Sequence, residues 1–116
     1  FRQPEFEHSK YTFEVADTEL MFRWFNDYEQ EAGRALAEKL VFPAYDYVLK
    51  CSHTFNQLDA AGAISVSARA AYIGRVRNLS QNIAKLFLEE RCKLGFPLMN
   101  DRDAARKWVE ELTPDN

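Results

Sequence analysis

Apolar residues recur at three- and four-residue steps through most of this chain, and the breaks between the runs divide it into helices. Met21, Phe25, Tyr28, Ala32, Leu36 and Leu40 define an amphipathic helix to about Leu40. Asp17 stands where an N-cap is needed, and Glu19 in the first turn suits the helix dipole. Gly33 is a tolerated weak point, costing about 1 kcal/mol against Ala. "VFPAYDYVLKCSHTFNQLDAAG" restarts the pattern, with Pro43 in the first turn, where a missing N–H costs nothing. Tyr45, Val48, Leu49, Ser52 and Phe55 form one face; Asp46, Lys50, His53 and Gln57 form the opposite one. Gly62 ends this second helix. Ser65 or Ser67 caps a third, which runs to about Leu94 on a stripe of Tyr72, Val76, Leu79, Ile83, Leu86 and Phe87. "LGFP" closes it, with Gly95 past the end and Pro97 as the stop. A short last helix, "DAARKWVEEL", places Ala105, Trp108, Val109 and Leu112 at helical spacing.

Ahead of these runs, "KYTFEVA" alternates Tyr11, Phe13 and Val15 in the manner of a strand. The pattern therefore predicts an all-α helical bundle of three main helices plus a short C-terminal helix, preceded by an extended N-terminal segment. Residues 1–16 read as a lead-in, 17–100 as the bundle, and 101–116 as a short helix and tail. Phe1 opens the chain without a methionine, so the expectation is a piece of a longer protein.

Composition supports this architecture. Four Gly and four Pro in 116 residues argue against a many-turned all-β fold, and 47% apolar residues suffice for one core. No apolar stretch approaches the roughly 18 residues of a membrane span, so no membrane role is expected. Two cysteines are too few for a disulfide scaffold, which makes a reduced, cytoplasmic setting the default.

Charge changes the picture more. The net charge is −3, yet residues 65–93 carry six Lys/Arg against two Asp/Glu. No acid occurs from Arg69 to Leu88. At 100° per residue, Arg77, Gln81 and Lys85, with Asn78 and Asn82, fall on the side of the third helix away from its apolar stripe. Arg75 and Arg69 fall near its borders. Arg, Lys, Asn and Gln along one ridge suit phosphates and base edges; the ordinary alternative is a solvated helix face. Gly74, inside the same helix, points to close approach by another backbone, with a neighbouring helix the first expectation. Asn56 and Asp59 are placed to order the 60–66 loop, through hydrogen bonds or an Asp59–Arg69 pair, the alternative being direct contact with a ligand.

Catalytic chemistry finds no foothold. Cys51, Ser52 and His53 are adjacent, but helical positions two apart diverge by about 200° and cannot share a metal. Ser52 and His53 fail as a nucleophile–base pair for a similar reason. No metal site, Gly-rich phosphate loop or dinucleotide fingerprint is expected.

"YTFEVAD", "PAYDYVLKCSHTFNQLDAAGAISVSARAAYIGRVR" and "LGFP" resemble the C-terminal helical part of the bacterial glycyl-tRNA synthetase alpha subunit, over roughly residues 1–100. The resemblance implies a class II ligase alpha chain that joins glycine to its tRNA with ATP and Mg2+, in an alpha2–beta2 heterotetramer. It places the ATP and glycine pocket in a catalytic domain upstream of Phe1, so no catalytic residue or cofactor is carried over to this chain. By analogy with alanyl-tRNA synthetase, the third helix would meet the tRNA(Gly) acceptor stem through Arg69, Arg75, Arg77, Gln81 and Lys85. Asn56 and His53 would be secondary contacts. The competing role is structural: docking on its own catalytic domain or the beta subunit. An exposed apolar patch around Phe22 and Trp24 would favour docking, and a solvent-facing ridge from Arg77 to Lys85 would favour tRNA.

Overall fold

The computed structural model describes residues 2–95 and 98–114, and it is all-α over them. Helix α1 (Gln3–Lys10) continues into a π-helical turn (Tyr11–Val15). Then come α2 (Thr18–Ala37), α3 (Val41–Ala60), α4 (Val66–Lys93) and α5 (Leu98–Leu112).

The first sixteen residues correct the expected extended segment. Pro4 in the first turn of α1 starts a helix, and the Ala16 N–H reaches back five residues to the Tyr11 carbonyl at 2.7 Å. An alternation of only three positions is too short to impose a strand, and here it follows directly from an established helix. Phe6 and Phe13 consequently share one side of the arm, where they line a shallow groove with Ser9, Lys10 and Glu14. No α1 residue is buried, and among the described residues α1 touches no element except the π-turn.

The three main helices follow their apolar stripes. The Asp17 carboxylate accepts from the Leu20 N–H at 3.1 Å and starts α2. At the other end, α2 stops three residues short of Leu40. The Lys39 N–H bonds the Leu36 carbonyl and the Leu40 N–H bonds the Ala35 carbonyl, with Lys39 in the left-handed region at φ 59°. This two-bond closure satisfies the last carbonyls and reverses the chain into α3. Gly62 repeats it at the end of α3 with φ 72°. Ser65, rather than Ser67, caps α4 by accepting from the Ala68 N–H at 3.2 Å. Gly95 follows α4 at φ 77°, while Pro97 lies outside the described residues.

Pairings across the core give the topology. Tyr28 meets Tyr47 and Phe25 meets Cys51, so α2 and α3 are antiparallel. Phe55 meets Tyr72 and Asp59 meets Arg69, which sets α4 antiparallel to α3. Lying between two helices, α3 is buried on more than the face its sequence shows, through Ala44, Cys51, Thr54 and Leu58 as well as Val48, Ser52 and Phe55. Helix α5 folds back along the outer half of α4. Its Trp108 ring lies 4.5 Å from Phe87 and 5.5 Å from Tyr45, and Leu112 is fully buried. Residues 101–112 therefore complete the same core.

Candidate nucleic-acid interface

Which face of α4 points outward is fixed by what its other faces bury. Ile73, Val76, Leu79, Ser80, Ile83, Ala84 and Leu86 face the core. Ser80 enters it without penalty because its hydroxyl donates to the Val76 carbonyl at 2.8 Å. What remains outside is a continuous strip: Ala70, Ala71, Gly74, Arg77, Asn78, Gln81, Asn82 and Lys85 are all exposed.

The two arginines at the borders are engaged within the fold. The Arg75 guanidinium donates from Nε to Glu29 Oε2 at 3.0 Å, from Nη2 to Glu29 Oε1, and from Nη2 to Asn26 Oδ1 at 2.8 Å. Its plane lies 4.8 Å from the ring centres of both Phe25 and Tyr72. The hydrogen bonds to Glu29 raise its pKa, with burial opposing, so it stays a cation at every relevant pH. Arg69 stands seven residues before Val76, hence on the core side of the first turn. There its Nε donates to Asp59 Oδ2 at 3.1 Å over the Phe55 ring, the expected clasp across the 60–65 turn. Asn56 takes no part in that clasp.

Arg77, Gln81 and Lys85, with Asn78 and Asn82, have no hydrogen-bond or ion-pair partner among the described residues. The seven residues expected at the interface thus divide into three groups. Arg77, Gln81 and Lys85 form one outward ridge, while Arg69 and Arg75 hold α4 to α3 and α2. His53 and Asn56 lie exposed on a different helix, α3. The partners of Arg75 lie 46 and 49 residues away, and no helical period of α4 could have named them.

Gly74 corrects another expectation. A methyl group there would meet nothing within 4 Å, so no neighbouring helix of the described chain needs the space. The vacancy opens outward, on the same strip as the ridge.

The Cys51-Ser52-His53 run stays divided in the structure. Cys51 and Ser52 are buried while His53 is exposed, as their divergence on α3 requires. Burial pushes the Cys51 thiol up to about 12, so it is not a nucleophile. Among the described residues no group of three or more His, Cys, Asp or Glu is placed to hold a metal, and no helix is long and apolar enough to cross a membrane. What the surface offers is a basic, amide-rich ridge on a rigid helix. The family model of the glycyl-tRNA synthetase alpha subunit matches residues 1–92, most of the chain, and the chain belongs to that family.

Proposed function

Taking membership of the glycyl-tRNA synthetase alpha subunit family as the premise, we propose that this chain is a non-catalytic helical part of the enzyme that charges tRNA(Gly). Its α4 ridge lies along the acceptor stem. The observation that supports this reading is the contrast within one helix: the border arginines are neutralised internally, while Arg77 and Lys85 are exposed cations without a partner. From Arg77 to Lys85 the ridge is about 12 Å long, enough to follow several consecutive phosphates of one strand. Duplex RNA is read chiefly through its backbone and shape, and Gln81, Asn78 and Asn82 supply neutral donors between the two charges. Glycine, ATP and Mg2+ would be handled by a catalytic domain outside this chain. The test is tRNA binding by the alpha–beta enzyme across a salt series, with and without Arg77 and Lys85. Unchanged affinity and salt dependence would remove the ridge from the interface.

A docking role has its own support, on a surface other than the expected one. Phe22 packs 5.8 Å from Tyr72, and both Phe22 and Trp24 are half-buried. The arm instead gathers four exposed apolar side chains close together in sequence, Phe13 at 68% and Val15 at 63% with Phe6 and Tyr11, whereas Val66 and Leu94 are exposed singly and Leu40 and Phe42 as a pair. An eight-residue helix with no buried side chain is marginal in water, so a covering partner suits it. The candidate partners are the catalytic domain, the second alpha subunit and the beta subunit. Replacing Phe6 and Phe13 together by Ser is expected to weaken subunit or domain association without altering the salt dependence of tRNA binding. Normal assembly of that variant would count against docking through the arm.

A further inference from the structure

Beyond the ridge, α2 and α4 part company. They are clasped at Glu29–Arg75 and at Phe22–Tyr72, but α2 ends at Ala37 while α4 runs on to Lys93. Between them lies an open groove of about 410 Å³. Its walls are apolar, formed by Leu36 from α2 and by Leu79 and Leu86 from α4. Its rim on the α4 side carries Asn82, Lys85 and Glu89. Lys85 therefore belongs both to the ridge and to the groove.

Resting on the tRNA reading above, we propose that this groove receives one unpaired nucleotide of the RNA held along the ridge, with an amino-bearing base, adenine or cytosine. Three observations lead there. First, Gly33 lines the groove on an exposed, mid-helical position, and a methyl group there would meet nothing within 4 Å. Internal packing gives no reason for a glycine that costs about 1 kcal/mol against Ala. A ligand that passes over the α2 backbone at this point does.

Second, the three polar side chains of the rim have no partner among the described residues. Lys85 and Glu89 are four residues apart on one helix, yet they form no ion pair. The Lys85 ammonium suits the phosphate of the entering nucleotide, continuing the backbone track from Arg77. Glu89 is the first acid after the basic stretch of α4. A carboxylate in that place opposes a phosphate but accepts a hydrogen bond from an exocyclic amine. The Asn82 carboxamide both donates and accepts, the pattern needed for an adenine or cytosine edge.

Third, the size fits. A pocket of about 410 Å³ is near the small end of ligand sites, room for a base with part of its ribose. Leu36, Leu79 and Leu86 give the base faces an apolar bed. Sequence-specific recognition of RNA is concentrated on such unpaired nucleotides. An apolar side chain of a protein partner would leave the rim charges without a function.

The test uses the assembled alpha–beta enzyme and tRNA(Gly) transcripts. Gly33→Leu fills the groove, and Gly33→Ala leaves it largely open while making the same gain in helix propensity. Dimethyl sulfate, which modifies unpaired adenine and cytosine, reports which bases are covered. One unpaired A or C should be protected by the unaltered enzyme and by Gly33→Ala, and exposed with Gly33→Leu. The same Leu variant should bind tRNA roughly tenfold more weakly, the loss of about one stacked base. Glu89→Gln should weaken binding in the same direction. An unaltered footprint and affinity with Gly33→Leu would overturn the proposal. So would a loss of subunit association without a footprint change, which would assign the groove to a protein side chain. Arg77→Ala lies outside the groove and tests the ridge alone, so the two readings fail separately.

Discussion

Arg75 and Glu29 are joined by two hydrogen bonds across the α2–α4 interface, with the Arg75 guanidinium also lying over the Phe25 and Tyr72 rings. This one side chain ties together the two helices that go on to form the groove and the ridge. It also explains why a residue on the basic face in sequence is not free for an outside partner. Both side chains are about one-third exposed, so solvent screening reduces the ion pair to the surface range. A double-mutant cycle of Arg75→Ala and Glu29→Gln, followed by urea unfolding, is expected to give a coupling of roughly 0.5–1 kcal/mol. Arg75→Ala alone should cost more than that, because its stem also covers two rings. A coupling indistinguishable from zero would mean that the pair does not clasp the helices.

The period of the apolar residues is enough to place α2, α3 and α4, the cap at Asp17, and the outward direction of Arg77, Gln81 and Lys85, while the choice of Ser65 over Ser67 as the α4 cap needed the structure. It works because each helix reports on its own axis: residues three and four apart share a face whatever lies opposite. The same property sets its limit. Arg75 falls at a border on the helical wheel, and only the neighbouring helix shows that Glu29 and Asn26 await it there. The groove needed the packing of α2 against α4 before Gly33 had any meaning beyond a weak point. The arm departs from its alternating pattern for a local reason: Tyr11, Phe13 and Val15 alternate over too short a span to outweigh the helix that precedes them.

Cys51 gives a pH signature. Its Sγ lies 3.8 Å from the Phe25 carbonyl, and burial, then the Glu29 carboxylate, raise its pKa from 9.0 to about 12, with Arg75 opposing. The folded chain thus keeps a proton that the unfolded chain loses above pH 9.0. The resulting contribution to stability is fully present below that pH and is lost as pH rises toward about 12. Cys51→Ala should make stability fall less steeply with pH above 9.0, measured by denaturant unfolding at stepped pH. A thiol reagent should modify exposed Cys92 in the native protein and reach Cys51 only on unfolding. Equal modification rates for the two would contradict the burial of Cys51.

The turn between α2 and α3 carries a removable strain. Lys39 occupies the left-handed position that Gly62 and Gly95 fill at the ends of α3 and α4. A residue with a Cβ costs about 1–2 kcal/mol there, while glycine costs roughly 0.5–1 kcal/mol through the entropy of the unfolded chain. Lys39→Gly should therefore stabilise the protein by about 0.5–1 kcal/mol, raising Tm by a few degrees. Gly62→Ala should move Tm the other way. A lower Tm for Lys39→Gly would show that the Lys39 side chain contributes more than its backbone costs.

The ridge makes the most direct functional prediction, because phosphate contacts leave a signature in salt that shape and packing do not. Each phosphate neutralised by a side chain releases condensed counterions, so the logarithm of affinity falls with the logarithm of salt by roughly 0.7–0.9 per contact. Arg77→Ala with Lys85→Ala removes two candidate contacts, and the slope should become shallower by roughly 1.4–1.8. Affinity should fall most at low salt, where counterion release contributes most. Arg69→Ala and Arg75→Ala serve as matched controls: each deletes the same charge, but from a guanidinium already neutralised by Asp59 or Glu29. Their effect should appear in stability, with the salt slope near that of the unaltered enzyme. If all four substitutions shift the slope alike, the ridge has no special place and α4 acts only through its overall field. If none does, α4 does not touch the tRNA, and the arm carrying Phe6 and Phe13 becomes the surface on which this domain's role depends.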